Sequence, residues 1–306
     1  MSIDTSGIHH VTAIGTDPAR NRRFYTETLG LRLVKRSVNQ DDTSVWHLFY
    51  GDYEGSPGTS MTFFPYTNAR RGQVGAGQVS TTGFLVPKAS IEYWQRRLEE
   101  HGVDVGSPTH RFDETVLEFE DPDGLQLELV GRDDVPAGKP PDGPVPKEHA
   151  IRGFSGVTLQ LQSAEKTIDL LKTMGLSEGG TDGPRQRFKT EVDIGSTVDV
   201  IDNVGQRGIQ GAGTVHHVAF RITRENREEW RELLMDQGLR PTEVIDRKWF
   251  ESIYTREFGG ILFEFATEAP GYTVDEPLEE LGESLVLPEW FADQREQIEA
   301  NLPSLN

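Results

Sequence analysis

The stretch IHHV at residues 8–11 has a close counterpart in VHHV at residues 215–218, and a single glutamate follows in LFEF at residues 262–265. Apolar residues flank the histidines and the glutamate in each stretch, which favours β-strands. Two imidazoles and one carboxylate form the ligand set that holds Fe²⁺ on one face and leaves other coordination positions open. The three stretches therefore predict a fold that brings remote strands together around one metal ion.

One unit is repeated four times along the chain. Each copy opens with an alternating strand, passes through an amphipathic helix and returns through further strands, in the order β-α-β-β-β. A glycine ends the helix of each copy, where it supplies a left-handed C-cap; these are Gly30, Gly102, Gly175 and Gly238. The sequence predicts an α+β protein of four βαβββ modules that form two half-barrel-pair domains.

The boundaries between these parts follow from composition. Residues 131–152 are rich in proline, glycine and charge, as linkers are. We predict an N-terminal domain of modules one and two at residues 1–130 and a C-terminal domain of modules three and four at residues 153–267. Residues 268–306 form an acidic tail, whose helix-like segment at residues 288–301 should pack on the body or cover the site.

The repeats also show which copies carry the candidate ligands. Alignment of the first strands puts four residues at one position: His10, Thr81, Gly156 and His217. Alignment of the last strands puts Glu128 of copy two opposite Glu264 of copy four. If His10, His217 and Glu264 bind one ion, the first and fourth modules must lie side by side, although they are farthest apart in sequence.

Several assignments stay open at this level. Neighbouring residues of a strand point to opposite faces, so periodicity does not decide which histidine of each pair faces the metal. The other histidine could fix a tautomer or line the pocket. A lone histidine or glutamate on an apolar strand is more often structural than a ligand. Glu128 could replace Glu264, but the turn at residues 121–124 favours a structural role for it, and His47 is predicted to contribute packing.

Composition narrows the function classes. The chain has 306 residues, no cysteine and a net charge of -19. Without thiols, any metal must sit on nitrogen and oxygen ligands. The acidic surface should repel nucleic acid and anionic membranes, so neither is a predicted partner. The sequence has neither a membrane-span pattern nor a signal-peptide pattern, which predicts a cytoplasmic protein.

The acid-rich, lysine-poor composition also suggests a halophilic origin. Molar salt screens the self-repulsion that otherwise opposes compaction of such a chain. We therefore expect the protein to be more stable in molar potassium chloride than in dilute buffer. Equal or higher stability in dilute buffer would contradict this hypothesis.

The repeat with ligands on its first and last strands resembles the vicinal oxygen chelate superfamily, which includes glyoxalases, extradiol dioxygenases and metal-free drug-binding proteins. Three stretches are similar to the hydroquinone ring-cleaving dioxygenases of that superfamily. They are GIHHVT at residues 7–12, the stretch from HLFYGD to FFP at residues 47–65, and the stretch from DR through GGILFE to PGY at residues 246–272. The similarity extends over nearly the whole chain.

The resemblance implies a function and a site. It implies that His10, His217 and Glu264 bind Fe²⁺, with Mn²⁺ as the alternative ion. It also implies that five residues line the pocket around a small aromatic substrate and O2: His9, Thr12, His216, Arg247 and Tyr254. The implied reaction is the opening of a hydroquinone ring by O2. A homo-oligomer is compatible with the sequence, which does not fix the number of subunits.

Two other functions of the same fold are weighed against this one. A glyoxalase-type isomerase or lyase uses its metal only as a Lewis acid and usually takes carboxylates from two modules, whereas copy one has no carboxylate that matches Glu264. A metal-free small-molecule-binding protein would normally have lost the ligands that are retained here. Bound metal and oxygen uptake distinguish the three functions.

Overall fold

Four βαβββ modules follow one another in the computed structural model, which describes residues 3–305. Module one contains β1 Ile8–Gly15, α1 Pro18–Arg23 with a π-helical continuation at Phe24–Thr28, β2 Arg32–Asn39, β3 Asp42–Gly51 and β4 Ser60–Pro65. Module two contains β5 Gln78–Pro87, α2 Ile91–Glu100, β6 Thr109–Arg111, β7 Glu114–Glu120 and β8 Gln126–Arg132. The predicted β-α-β-β-β order is therefore confirmed in the first half.

The second half repeats this order. Module three contains β9 Phe154–Gln160, α3 Glu165–Thr173, β10 Ser177–Asp182, β11 Arg185–Lys189 and β12 Thr197–Ile201. Module four contains β13 Thr214–Ile222, α4 Arg227–Asp236, β14 Ile245–Asp246, β15 Glu251–Arg256 and β16 Leu262–Thr267. The tail adds three short 3-10 helices, Tyr272–Val274, Leu278–Glu280 and Glu289–Gln294, and the helix α5 Arg295–Asn301.

Local sequence explains where the module helices begin and end. Asp17 caps α1, because its carboxylate accepts a hydrogen bond from the backbone N–H of Arg20 at 2.9 Å, and Pro18 occupies the first turn. Helix α2 buries a stripe at helical spacing, made of Ile91, Trp94 and Leu98. The four glycines predicted to end the helices all have φ between +71° and +91°, the left-handed region that favours glycine.

The strands form two eight-stranded sheets, and each sheet combines one module from the first half of the chain with one from the second half. The first sheet has the order β14-β15-β16-β13-β1-β4-β3-β2, and the second has the order β10-β11-β12-β9-β5-β8-β7-β6. Modules one and four thus share one sheet, as the ligand argument requires, and modules two and three share the other. The domain boundaries remain a prediction. Strands from both sides of residues 131–152 share each sheet.

The register of the first sheet brings the histidine and glutamate strands together. Strand β1 pairs antiparallel with β13, with Thr12 opposite His217. Strand β13 pairs parallel with β16, with Ala219 opposite Glu264. Every residue of β1 is buried, so its polar side chains lie inside the protein rather than on its surface.

The tail packs against the first sheet. Ile298 of α5 is buried against Val38 and Leu287, and the Trp46 indole donates a hydrogen bond to the carbonyl of Pro303 at 2.7 Å. The buried ammonium of Lys35 anchors the segment before α5, with Asp275 at 2.7 Å. Of the two expectations for the tail, packing on the body is therefore the one confirmed. No helix within residues 3–305 has the length and apolar character needed to cross a membrane.

Candidate metal centre

Three candidate ligands meet on three adjacent strands, β1, β13 and β16. The Nε2 atoms of His10 and His217 lie 3.3 Å apart. Oε2 of Glu264 lies 3.2 Å from Nε2 of His10 and 2.9 Å from Nε2 of His217. All three side chains are buried. The structure therefore brings together the three groups that the sequence singles out, at atoms that carry lone pairs.

The geometry of this cluster fits a divalent cation. Ligand atoms about 2.1 Å from an ion, at right angles to one another, are about 3.0 Å apart, close to the three distances observed. Oε2 of Glu264 is buried without a hydrogen-bond partner among the described residues. A buried carboxylate oxygen is costly unless a cation or a donor compensates it. Nitrogen and oxygen donors in this arrangement would suit a first-row metal.

The charge states also suit metal binding. Burial alone would raise the pKa of Glu264, but the adjacent His10 and His217 outweigh burial and hold the pKa of this carboxyl well below its usual range. Burial lowers the pKa of His217, which favours its neutral form with a free lone pair. Metal ligands must be deprotonated, so both groups are prepared for that role.

The first histidine of each pair stands behind the second. Nδ1 of His9 lies 2.9 Å from Nδ1 of His10, and Nδ1 of His216 lies 2.7 Å from Nδ1 of His217. If Nε2 of His10 and of His217 faces an ion, each Nδ1–H donates to the neighbouring histidine, which fixes tautomer and ring orientation. Burial lowers the pKa of His9 well below its usual range and that of His216 to about 3, so both remain neutral acceptors.

Glu264 and His217 have further polar neighbours below the cluster. The hydroxyl of Ser252 donates to Oε1 of Glu264 at 2.5 Å. Oγ1 of Thr12 lies 2.8 Å from Nε2 of His217 and 2.7 Å from Oγ1 of Thr62. Thr12 is thus fully buried beside His217 and is not part of the cavity wall, in contrast to the pocket-lining position that the resemblance implies.

Arg247 and Tyr254 form one unit beside the cluster. Nε of Arg247 donates to the hydroxyl of Tyr254 at 3.2 Å, and Tyr254 lies opposite Glu264 in the register of β15 and β16. Burial raises the pKa of Tyr254, so its phenol keeps the proton at neutral pH. Burial alone would lower the pKa of Arg247, but Tyr254 and the carboxylate of Asp41 raise it.

A cavity of about 300 Å³ opens from the three clustered groups. Its walls are mostly aromatic: His47, Phe49, Phe64, Trp249, Phe250 and Tyr254. The tip of the β2–β3 hairpin, residues 39–41, and Arg247 also line it. A cavity of this size lies at the small end of ligand pockets and suits a single-ring compound.

Sequence reasoning missed part of this wall. His47 is predicted to contribute packing, and its ring does pack at 3.9 Å from that of Phe49 and 4.4 Å from that of Phe64. The same ring also lines the cavity. Trp249 and Phe250 were not singled out, although they lie two and three residues after Arg247 in the chain, and that proximity could have indicated them.

The alternative carboxylate lies elsewhere. Glu128 belongs to the second sheet, where its buried side chain forms an ion pair with Arg111. Burial raises the pKa of Glu128, against the opposing effect of Arg111. Glu128 therefore takes no part in the cluster of the first sheet.

The sequence of this chain matches those of known proteins over almost its full length. The MhqO protein of Bacillus subtilis (strain 168), named as a ring-cleaving dioxygenase, is 44% identical over 304 residues, which are 99% of this chain and 97% of that protein. The profile of the Glyoxalase/Bleomycin resistance protein/Dioxygenase superfamily matches residues 7–129. The chain belongs to this superfamily. Another member, the chlorohydroquinone/hydroquinone 1,2-dioxygenase of Sphingobium indicum, is 36% identical over 90% of this chain and 89% of its own length.

Solved structures agree with this family. A crystal structure of a Bacillus subtilis protein described as a dioxygenase matches with a TM-score of 0.96 and 43% identity, over 99% of this chain and 98% of that one. Glyoxalase I from Zea mays matches with a TM-score of 0.64 and 15% identity, over 86% and 92% of the two chains. The second likeness concerns the fold alone, and it confirms the vicinal oxygen chelate architecture.

Proposed function

We propose that this superfamily member is an Fe²⁺-dependent dioxygenase that opens a hydroquinone-type aromatic ring with O2. The observation that carries the proposal is the meeting of His10, His217 and Glu264 at the end of a cavity with aromatic walls. The names of relatives at 36% to 44% identity support the reaction class. Mn²⁺ is the alternative ion for the same ligand set.

His10, His217 and Glu264 would hold the metal on one face. Bound there, the ion would lower the pKa of a coordinated substrate hydroxyl and offer O2 an adjacent position. His9 and His216 would keep the two imidazoles in the tautomer that presents Nε2. Ser252 would hold the carboxylate of Glu264 in its orientation through the hydrogen bond to Oε1.

The remaining residues would bind and orient the ring. The aromatic wall would hold a planar substrate and exclude water from the reacting face. The phenol of Tyr254, kept protonated by burial, would donate a hydrogen bond to the substrate oxygen at the centre. The guanidinium of Arg247, fixed against Tyr254, would stabilise negative charge that develops on that oxygen.

The first sheet offers a single carboxylate to the centre, which favours the dioxygenase over an isomerase. Strand β4 pairs with β1 in the same way that β16 pairs with β13, and Thr62 occupies the place in β4 that Glu264 occupies in β16. A glyoxalase-type isomerase or lyase would be expected to use carboxylates from two modules. A metal-free binding protein would gain nothing from an orphaned carboxylate oxygen beside two imidazoles.

An anaerobic titration with Fe²⁺, followed by oxygen uptake with a panel of catechols and hydroquinones, tests the proposal. We expect one ion per chain and O2 consumption with a hydroquinone. Metal-dependent turnover without O2 would support the isomerase, and absence of metal binding would support the binding protein. Cytoplasmic location, halophilic origin, the lack of nucleic-acid and membrane partners, and homo-oligomer assembly remain predictions.

A further inference from the structure

His47 is held rigidly at the cavity wall. Its ring packs against those of Phe49 and Phe64 at centroid distances of 3.9 Å and 4.4 Å, with the ring planes tilted by 37° and 45°. Nε2 of His47 lies 3.0 Å from Oγ1 of Thr62. Contacts with two aromatic rings and a hydrogen bond at one nitrogen leave the ring little freedom to turn, so the position of its other nitrogen, Nδ1, is restricted as well.

His47 is also linked to the metal centre through Thr62 and Thr12. Thr62 bridges His47 and Thr12, since its hydroxyl is 2.7 Å from that of Thr12, which in turn is 2.8 Å from Nε2 of His217. A hydroquinone bound at the centre through one hydroxyl, with its ring lying along Thr12 and Thr62, would direct its opposite hydroxyl away from the centre and toward His47.

Most other polar groups of the wall already have partners. The amide of Asn39 donates to the hydroxyl of Tyr66 at 2.9 Å, and the hydroxyl of Thr242 accepts the backbone N–H of Tyr254 at 3.1 Å. Gln40 donates to the carbonyl of Arg247 at 3.2 Å. Among the side-chain nitrogens of the described lining residues, Nδ1 of His47 and Nε2 of His216 are the two without a hydrogen-bond partner.

We propose that Nδ1 of His47 binds the hydroxyl opposite the coordinated one and thereby selects hydroquinones over phenols. The inference rests on the proposed function and adds the residue that reads the second substituent. A hydroxyl both donates and accepts, so it matches either tautomer of His47, whereas a hydrogen atom at the same ring position leaves Nδ1 without a partner. Burial lowers the pKa of His47 well below its usual range, which keeps the ring neutral.

Anaerobic equilibrium dialysis of the Fe²⁺-loaded protein against hydroquinone and phenol tests this inference. We expect the wild type to bind hydroquinone more tightly than phenol, by roughly 3- to 10-fold, as one neutral hydrogen bond gives. His47→Phe keeps an aromatic ring and should remove the preference while the iron content stays unchanged. His47→Asn places an amide near Nδ1 and should restore part of it, whereas His47→Gln reaches toward Thr62 and should not.

A matched control is available outside the cavity. His149 is also a histidine packed on an aromatic ring, 4.1 Å from the ring of Tyr93, with one ring nitrogen 2.9 Å from the hydroxyl of Ser90. His149→Phe should leave the preference intact. The inference is overturned if the wild type does not distinguish the two compounds, or if His47→Phe keeps the preference. Absence of oxygen uptake with hydroquinone in the wild type would instead refute the proposed function. The binding preference measured by dialysis would still test the role of His47.

Discussion

The two sheets surround buried carboxylates at equivalent positions with different side chains. Strand pairing matches four positions of the first sheet with four of the second: His10 with Gly156, His217 with Thr81, Glu264 with Glu128, and Thr62 with Asp199. Both sheets therefore bury carboxylates at this point of the fold. The first surrounds its carboxylate with imidazoles, and the second has neither imidazole.

The second sheet supplies its own cations. Arg111 forms an ion pair with Glu128, and Arg187 binds Asp199 through two nitrogens at 2.8 Å and 3.0 Å. No histidine could replace Gly156 without movement, since even a Cβ atom there would lie 2.0 Å from Oγ1 of Thr197. The comparison teaches that a buried carboxylate needs a cation. The second sheet supplies it from its own arginines, whereas the first sheet leaves it to be supplied from outside, next to a cavity.

The contrast between the two sheets would fail if Glu264 and Glu128 had the same role. Glu264→Gln should abolish Fe²⁺ binding and oxygen uptake, because the neutral amide cannot replace the anionic ligand between two imidazoles. Glu128→Gln is the matched control and should keep both. Metal analysis after anaerobic loading, together with an oxygen electrode, measures the two variants. Stoichiometric iron in the Glu264→Gln protein would refute the ligand assignment.

The internal cation of the second sheet should matter for stability rather than activity. Arg111→Met leaves Glu128 buried without its partner, and loss of one member of a buried ion pair costs about 3 to 5 kcal/mol. Urea unfolding at pH 7 should show this loss, with iron stoichiometry unchanged in the folded protein. The double variant Arg111→Met with Glu128→Leu should recover most of the stability. A single variant as stable as wild type would mean that Arg111 does not compensate Glu128.

Sequence predicted the pairing of remote modules because identical local patterns recur at equivalent points of a repeat. The repeats indicated the two histidine pairs and Glu264 for the same reason, whereas the choice of His10 and His217 within the pairs came from the resemblance to the ring-cleaving dioxygenases. The orientation of each histidine pair could not be predicted from the repeats, since alternation separates the two faces of a strand without saying which face the sheet curls around. The dual position of His47 and the pairing of Glu128 with Arg111 depend likewise on that curvature, which joins residues of different strands.

Asp121, a buried acid that follows a strand of the second sheet, should titrate differently from Glu264. Burial raises the pKa of Asp121, which follows β7, to about 6, against the opposing backbone hydrogen bond from Leu125. Because the folded pKa exceeds the ordinary value near 3.9, the contribution of Asp121 to stability is full below about pH 4 and is lost as pH rises through 6. That loss is about 3 kcal/mol. Between pH 4 and 7, the free energy of unfolding should fall by this additional amount in the wild type compared with Asp121→Asn. Parallel pH profiles of the two proteins would contradict the prediction.

The smallest expected effect concerns the histidines behind the ligands. His9 and His216 lie within hydrogen-bond distance of the two imidazoles at the centre, whereas serines, Ser80 and Ser155, occupy the corresponding places in the second sheet. His9→Phe and His216→Phe should each weaken Fe²⁺ binding by about 10- to 100-fold, because the imidazole loses the partner that fixes its tautomer. Competition with a metal-sensitive dye measures this change, and Ser80→Ala should leave the affinity unchanged. Equal affinity in all three variants would mean that the imidazoles are oriented by strand packing alone, and the two sheets would then differ only in their three converging donors.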